Sequence, residues 1–589
     1  MSESEKKSEI VPAQTAAPIA RSQRKYVVSS LDGSFLSPPE AARYLRLPDA
    51  AFKSSVRFVA APGTGKSRLF GRFIAFPNLV RGKPQFVLDP TGGIVSNLLD
   101  KLIRMPASAQ RALARRIRYV DVGASDYIVP MPLYQPGHSA ETLYETANRF
   151  PMVLYSLDPH LQSAPIMGWN SLHECAIKAG QIATAMGFQV DFVADLIAEP
   201  RKYKTLLREV TARYPELAPA AAYFRELMDP NSNSVRERRT GSFTNKLMPI
   251  VSDPTMLATF ASSPAGIDWD EVVAKGLTVI VDFQNERDQE RRRFKMIWFF
   301  RSFMDFAKRR GMAGRGKEIY FFIDELTQLL GNGSSDSNSV LADDLEEMVA
   351  VVARNYGVNP ILAHQNLTQI DERIRNILMQ CGTQIVGTIT NPDDSLYLAR
   401  QFLHYDPRKV KKREPVWMSV EQFDKYGLPL HLPWPEIIDY RTAEYTPEEQ
   451  LLMASEQFRL PRFQFLVRPA LGEGQISPHI HRISIERMDV GQYPDDHTIA
   501  QVLTVLRARD GIPMQALLDE IRARQQAGYV TTQKRVKSAE EPAILVEKFP
   551  HPHESADDLP QPSDTDQPLP LQTEGDSQAP GGDDDDFWR

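Results

Sequence analysis

Ala60-Ala61-Pro62-Gly63-Thr64-Gly65-Lys66-Ser67 fits the phosphate-cradling pattern of a glycine, four residues, then Gly-Lys-Ser/Thr, with Ala60 in place of the leading glycine. The β-prone run Val56-Arg57-Phe58-Val59 precedes it and Arg68 to Ile74, an amphipathic helical stretch, follows it. A glycine-rich loop between strand and helix turns successive backbone N–H groups inward, and the positive end of the helix adds to that anion site. Ala61, Pro62, Gly63, Thr64 and Gly65 are the expected nucleotide-binding loop, Lys66 the side chain for the β- and γ-phosphates, and Ser67 a Mg²⁺ ligand.

A second stretch completes the chemistry. Ile319-Tyr320-Phe321-Phe322-Ile323 is a continuous apolar run suited to a strand buried on both faces, and it ends in Asp324-Glu325. In a chain with a phosphate loop, Asp324 is expected in the Mg²⁺ shell and Glu325 beside the attacking water. Pro360-Ile361-Leu362-Ala363 is a further strand, and it places Gln365 on the same edge, within reach of a γ-phosphate or that water.

Strands at 85–88, 117–122, 277–283 and 383–388 alternate with helical stretches at 94–103, 290–310, 342–354 and 391–402, which predicts a mostly parallel sheet covered on both faces. Residues 141–265 read as an all-α insertion, and the Phe, Trp and Met stripe of 290–310 as core. The expected division is a disordered arm over 1–25, an α/β motor domain over 26–140 and 266–445, a strand pair with helices over 446–530, and a disordered acidic tail over 531–589. A short lead-in strand at Tyr26 to Val28, a helix at Pro39 to Leu45 and an apolar-free loop at Gly331 to Asn338 complete the reading.

At 589 residues the chain exceeds what one core usually holds, and 42% apolar with 24% charged residues is ordinary for a globular protein. Cys175 and Cys381 lie far apart and lack metal-ligand spacing, which argues against a zinc site or a disulfide framework and for a reducing cytoplasm. No run approaches the ~18 apolar residues of a membrane helix. The net charge of −6 hides an asymmetry: residues 554–589 carry −10, so residues 1–553 carry +4.

The series Ala61-Pro62-Gly63-Thr64-Gly65-Lys66-Ser67, Asp89-Pro90-Thr91-Gly92, Phe322-Ile323-Asp324-Glu325, Arg354-Asn355-Tyr356-Gly357, Ala363-His364-Gln365 and Gly382-Thr383-Gln384-Ile385 resembles the TraG/TraD-type coupling ATPases of type IV secretion and conjugation, within the FtsK/HerA superfamily. The resemblance covers roughly residues 50 to 440 and implies a RecA-like P-loop motor domain, ATP and Mg²⁺ between the subunits of a homo-hexamer, and DNA in its channel. It also implies that Arg354 is the arginine finger reaching the γ-phosphate of the next subunit. The chain departs from the family at Ala60, at the Asp89 turn, which lacks the usual lysine and second aspartate, and in having no membrane helices. The expected setting is therefore cytoplasmic, with a relaxase, secretion channel or membrane anchor as partner. A HerA-like DNA-processing or defence motor and a nucleotide-gated ring scaffold with little turnover are the alternatives.

Arg408-Lys409-Val410-Lys411-Lys412-Arg413 suits DNA phosphates or a solvated loop. Residues 462–467 and 481–485 alternate as a strand pair, and 498–526 as two helices broken at 510–513, either a partner module or packing on the motor. The terminal Asp583 to Asp586 followed by Phe587-Trp588-Arg589 suits either docking on a basic partner groove or solubilisation.

Overall fold

The computed structural model describes residues 28–29 and, with short breaks of which the longest are 159–165, 332–338 and 486–495, residues 47–529. The expected arm, the 39–45 helix, nearly all of the 331–338 loop and the acidic tail lie outside the described residues.

A ten-stranded sheet organises the chain. Its parallel part runs, in spatial order, Thr383–Val386, Val56–Val59, Val358–His364, Ile319–Ile323, Gln85–Asp89, Thr278–Asp282 and Ile117–Asp121. Gln464–Arg468, Ile480–Ser484 and Val28–Ser29 then continue it antiparallel beyond Thr383–Val386. The parallel strands are runs of Val, Ile, Phe and Leu because both faces are covered, so their side chains alternate between two cores. Phe86, Leu88, Phe321 and Ile323 enter one core, whereas Val87, Tyr320 and Phe322 enter the other.

The first core is closed by the helix Gln289–Arg310, whose Phe294, Trp298, Phe299, Phe300 and Phe303 are buried. Residues between Ala140 and Phe260 contribute only helices among the described residues, and their apolar side chains continue that same core rather than forming a second one. The second core lies under the phosphate-loop helix and Gly93–Ile103.

The 464–484 strand pair is not set apart from the α/β domain, as a boundary at 445 implies; Leu466 pairs with Val386 and extends the main sheet. The helices Asp496–Asp510 and Met514–Gln526 lie by the other edge of the sheet, at Ile117–Asp121 and Tyr127–Ile128. The first covers the sheet edge: Tyr119 N–H donates to the Asp510 carboxylate at 2.8 Å, which blunts a strand that would otherwise be an open template.

The second is pinned by a buried ion pair. Arg524 donates to Asp191 at 3.0 Å and to Ala261 O at 2.6 Å, and Tyr529 donates its hydroxyl to Asp191 at 3.0 Å. Burial pushes the Asp191 carboxyl up, and Arg524 and Tyr529 oppose that. Arg524→Leu leaves a buried carboxylate uncompensated and is expected to cost about 3–5 kcal/mol. Thermal denaturation checks this: Arg524→Leu lowers the melting temperature, and Arg524→Leu with Asp191→Asn regains part of the loss. An unchanged transition in the single variant would show the pair to be dispensable.

Both cysteines are buried and free. No helix among the described residues is long and apolar enough to cross a membrane.

Candidate nucleotide site

Register brings the C-terminal ends of the strands together: Val59 lies beside His364 and Val386, and Ile323 beside Leu88 and Leu362. The loop Ala60–Ser67 therefore begins where Asp324-Glu325 and Gln365 also leave the sheet, the edge at which open α/β sheets bind ligands. Ala60 N–H donates to His364 O at 3.3 Å and Ala61 N–H to Thr388 O at 2.8 Å, fixing the loop's base. The methyl of Ala60 is accommodated by Gly387, where a Cβ would stand 2.6 Å from it.

Gly63 and Gly65 take φ of +72° and +102°, conformations that favour glycine. They curl the backbone so that N–H groups converge ahead of the helix that starts at Lys66, the concave geometry of an anion nest. Thr64 Oγ1 donates to Ala61 O at 2.8 Å and braces the curl. That helix runs through a π-helical segment, Leu69–Ala75, to Val80. It passes Gly93 so closely that a Cβ there would lie 2.9 Å from Ser67 Cβ.

Lys66 Nζ lies 2.9 Å from Asp324 Oδ1 and 3.2 Å from Glu325 Oε2. Burial works against the ammonium, but the two carboxylates outweigh it and hold Lys66 above the ordinary lysine value. Ser67 Oγ donates to Asp324 Oδ2 at 2.9 Å. Asp324 Oδ1 is buried with no aligned hydrogen-bond donor among the described residues; the Lys66 contact is an ion pair without that alignment. A serine hydroxyl and a buried aspartate with acceptor capacity to spare are the oxygen-only donors Mg²⁺ takes when phosphates and water supply the rest of its shell. No group of three or more His, Cys, Asp or Glu among the described residues is arranged to hold a metal alone.

Glu325 stands in the left-handed region at φ +67°, uncommon for a residue with a long side chain and worth about 1–3 kcal/mol of strain. Thr327 Oγ1 donates to its Oε1 at 2.6 Å, and Gln365 Nε2 donates to its Oε2. Lys66, Ser67, Asp324, Glu325 and Gln365 thus meet at one point, from segments up to 299 residues apart.

Arg354 does not join them. It is exposed on the short helix Ala353–Asn355, directly after the π-helical Met348–Val352, and precedes the strand Val358–His364. The length of that strand, roughly 20 Å at 3.3 Å per residue, separates it from the phosphate loop of its own chain.

Acidic residues close several strands of the sheet, and Asp121 and Asp282 join Asp89 and Asp324 in this. Asp89, Asp121, Asp282 and Asp324 each end or follow an apolar strand, and register sets the first three side by side. Asp89 accepts from Val95 N–H at 2.9 Å and Thr91 N–H at 3.2 Å, capping its helix; burial, then the charges of Asp324 and Asp282, push its carboxyl up to about 7. Asp282 accepts from the Tyr119 hydroxyl at 2.9 Å and is pushed up by burial to about 6. Asp121 pairs with Arg507 at 3.1 Å. Among these four, the ion pair to Lys66 falls to Asp324.

The basic run 408–413 enters a two-stranded ribbon, Val410–Val420 with Trp434–Glu444, exposed along much of its length and carrying exposed Trp417 and Tyr440.

No protein-family model and no curated protein matches the sequence. Among solved structures the chain is similar to the bacterial conjugative coupling protein TrwBdeltaN70 in its unbound form, at 14% identity and TM-score 0.45 over 80% of this chain and 91% of that one. It is similar to the plasmid coupling protein TrwB in complex with ADP and Mg²⁺, at 14% identity and TM-score 0.45 over 79% and 89%. VirB4 of Thermoanaerobacter pseudethanolicus is a further similar structure, at 10% identity and TM-score 0.41 over 74% and 89%.

Proposed function

We propose that the chain is an ATP-hydrolysing motor of the coupling-protein type that moves DNA or a nucleoprotein substrate. The observation that carries the nucleotide reading is the meeting of Lys66 and Ser67 with Asp324, Glu325 and Gln365 at the mouth of a left-handed, glycine-curled loop. In this reading the loop N–H groups and Lys66 bind the phosphates, and Ser67 and Asp324 hold Mg²⁺. When bound, the cation neutralises charge developing on the phosphate oxygens. Glu325 takes the proton of the attacking water as the oxygen closes on the γ-phosphorus and ADP leaves, and Gln365 orients Glu325 or that water.

The DNA substrate is supported by the order of the short motifs from residue 60 to 388 and by the exposed Arg408, Lys411, Lys412 and Arg413 of the basic run. Arg354, far from its own loop, fits a role only at a neighbour's site, which supports a ring, a homo-hexamer in this family type. The proposed setting is cytoplasmic, with a relaxase, secretion-channel or membrane-anchor partner.

Steady-state ATP hydrolysis by the purified chain, with and without single- and double-stranded DNA, tests the reading. Turnover stimulated by DNA is expected. Nucleotide binding with no turnover under any condition points instead to the ring scaffold, and a co-purifying nuclease to a HerA-like processing motor.

A further inference from the structure

The antiparallel strand Gln464–Arg468 begins where the parallel strands end, because Leu466 pairs with Val386 and Arg468 with Gln384. Its lead-in residues are therefore delivered to the mouth of the phosphate loop. Thr388 Oγ1 donates to Leu460 O at 2.7 Å and anchors the approach.

Phe463 then locks onto the loop. Its N–H donates to Thr64 O at 3.0 Å and its carbonyl accepts from Ile485 N–H at 2.8 Å. Its ring packs so tightly on Gly65 that a Cβ there would meet it at 2.6 Å. Its φ of +65° is a left-handed conformation that a bulky residue adopts only where its surroundings impose it, and it sets the direction of the residue before it. That residue is Arg462. Its side chain is exposed, Nη2 lies 3.7 Å from where a Cβ of Gly63 would stand, and it has no carboxylate ion-pair partner among the described residues. A guanidinium left without a counter-charge at the apex of an anion nest has a phosphate as its natural partner, which it can engage through two parallel N–H bonds.

We propose that Arg462 is a phosphate-contacting residue, supplied in cis, for the nucleoside triphosphate at the 60–67 loop, and that Phe463 is the positioning residue that holds it there. The assignment rests on the phosphate-cradle reading of that loop. It also couples the loop to the strand pair 464–484, since a shift of Arg462 toward phosphate pulls on the Phe463–Thr64 bond.

The test is binding of fluorescent, non-hydrolysable ATP and ADP analogues with Mg²⁺ to the full chain, its Arg462→Ala and Arg462→Lys variants, and Lys66→Ala. Arg462→Ala is expected to bind the triphosphate about 10- to 100-fold more weakly, the range of a charge-assisted contact. Arg462→Lys recovers part of that, keeping the charge and losing the fork. The melting temperature without nucleotide stays unchanged, as an exposed side chain implies. Affinity within twofold of the unaltered chain, while Lys66→Ala loses binding, overturns the role of Arg462 and leaves the nucleotide site standing. A lowered melting temperature matching the lost affinity makes Arg462 structural and also overturns it. No binding by the unaltered chain removes the phosphate-cradle reading and this assignment with it.

Discussion

Glu325→Gln is expected to hydrolyse ATP about 10²- to 10⁴-fold more slowly than the unaltered chain while binding it at least as tightly. The rate falls because an amide cannot take the proton of the attacking water. The affinity holds or rises for a reason visible in the site: Lys66 is engaged by Asp324 at 2.9 Å and Glu325 at 3.2 Å, and phosphate must replace those contacts. Removing one carboxylate charge loosens the hold, so the ammonium is freer to turn to the ligand. Shape is kept, since Thr327 and Gln365 can still bond a neutral amide in the same place. Lys66→Ala is the counterpart and loses binding itself. Phosphate release and equilibrium binding, measured side by side, separate the two. Undiminished turnover in Glu325→Gln would remove Glu325 as the base and leave Gln365 to place the water alone.

What was legible in the sequence follows from what is local. The strands at 56–59, 85–89, 278–282 and 319–323 are apolar runs bounded by polar residues, because a strand buried on both faces has no polar side to show. Lys66, Ser67, Asp324 and Glu325 were legible because each stands at a fixed offset from such a run, and Gln365 because it follows another. The membership of Gln464–Arg468 in the main sheet was not, since alternation marks a strand and carries no record of its neighbour. The left-handed Glu325 and Phe463 were hidden for a related reason: neither is a residue type that signals positive φ, and both are held there by contacts from distant segments. The π-helical segments 69–75 and 348–352 were read as ordinary helix, because their composition fits either form.

Arg354→Ala is expected to keep nucleotide affinity and lose turnover by about 10³-fold or more, the measured scale for an arginine finger. The argument is geometric. Arg354 is exposed at the start of the strand whose far end carries Gln365, so the depth of the sheet lies between it and its own Lys66. A residue in that position affects hydrolysis only across an interface of the head-to-tail kind, where one subunit's phosphate edge meets the opposite edge of the next. The consequence is complementation. A site built from an Arg354→Ala subunit keeps Lys66 and Glu325, and a neighbouring Glu325→Gln subunit still offers Arg354. Mixing the two inactive variants in equal amounts should regenerate roughly a quarter of the interfaces by random assembly in such a ring. Phosphate release from the mixture, against each variant alone, reads this directly. A mixture as inactive as its components, although both still bind nucleotide, would remove Arg354 from the neighbour's site and leave the transition state to groups of one chain, Lys66 among them.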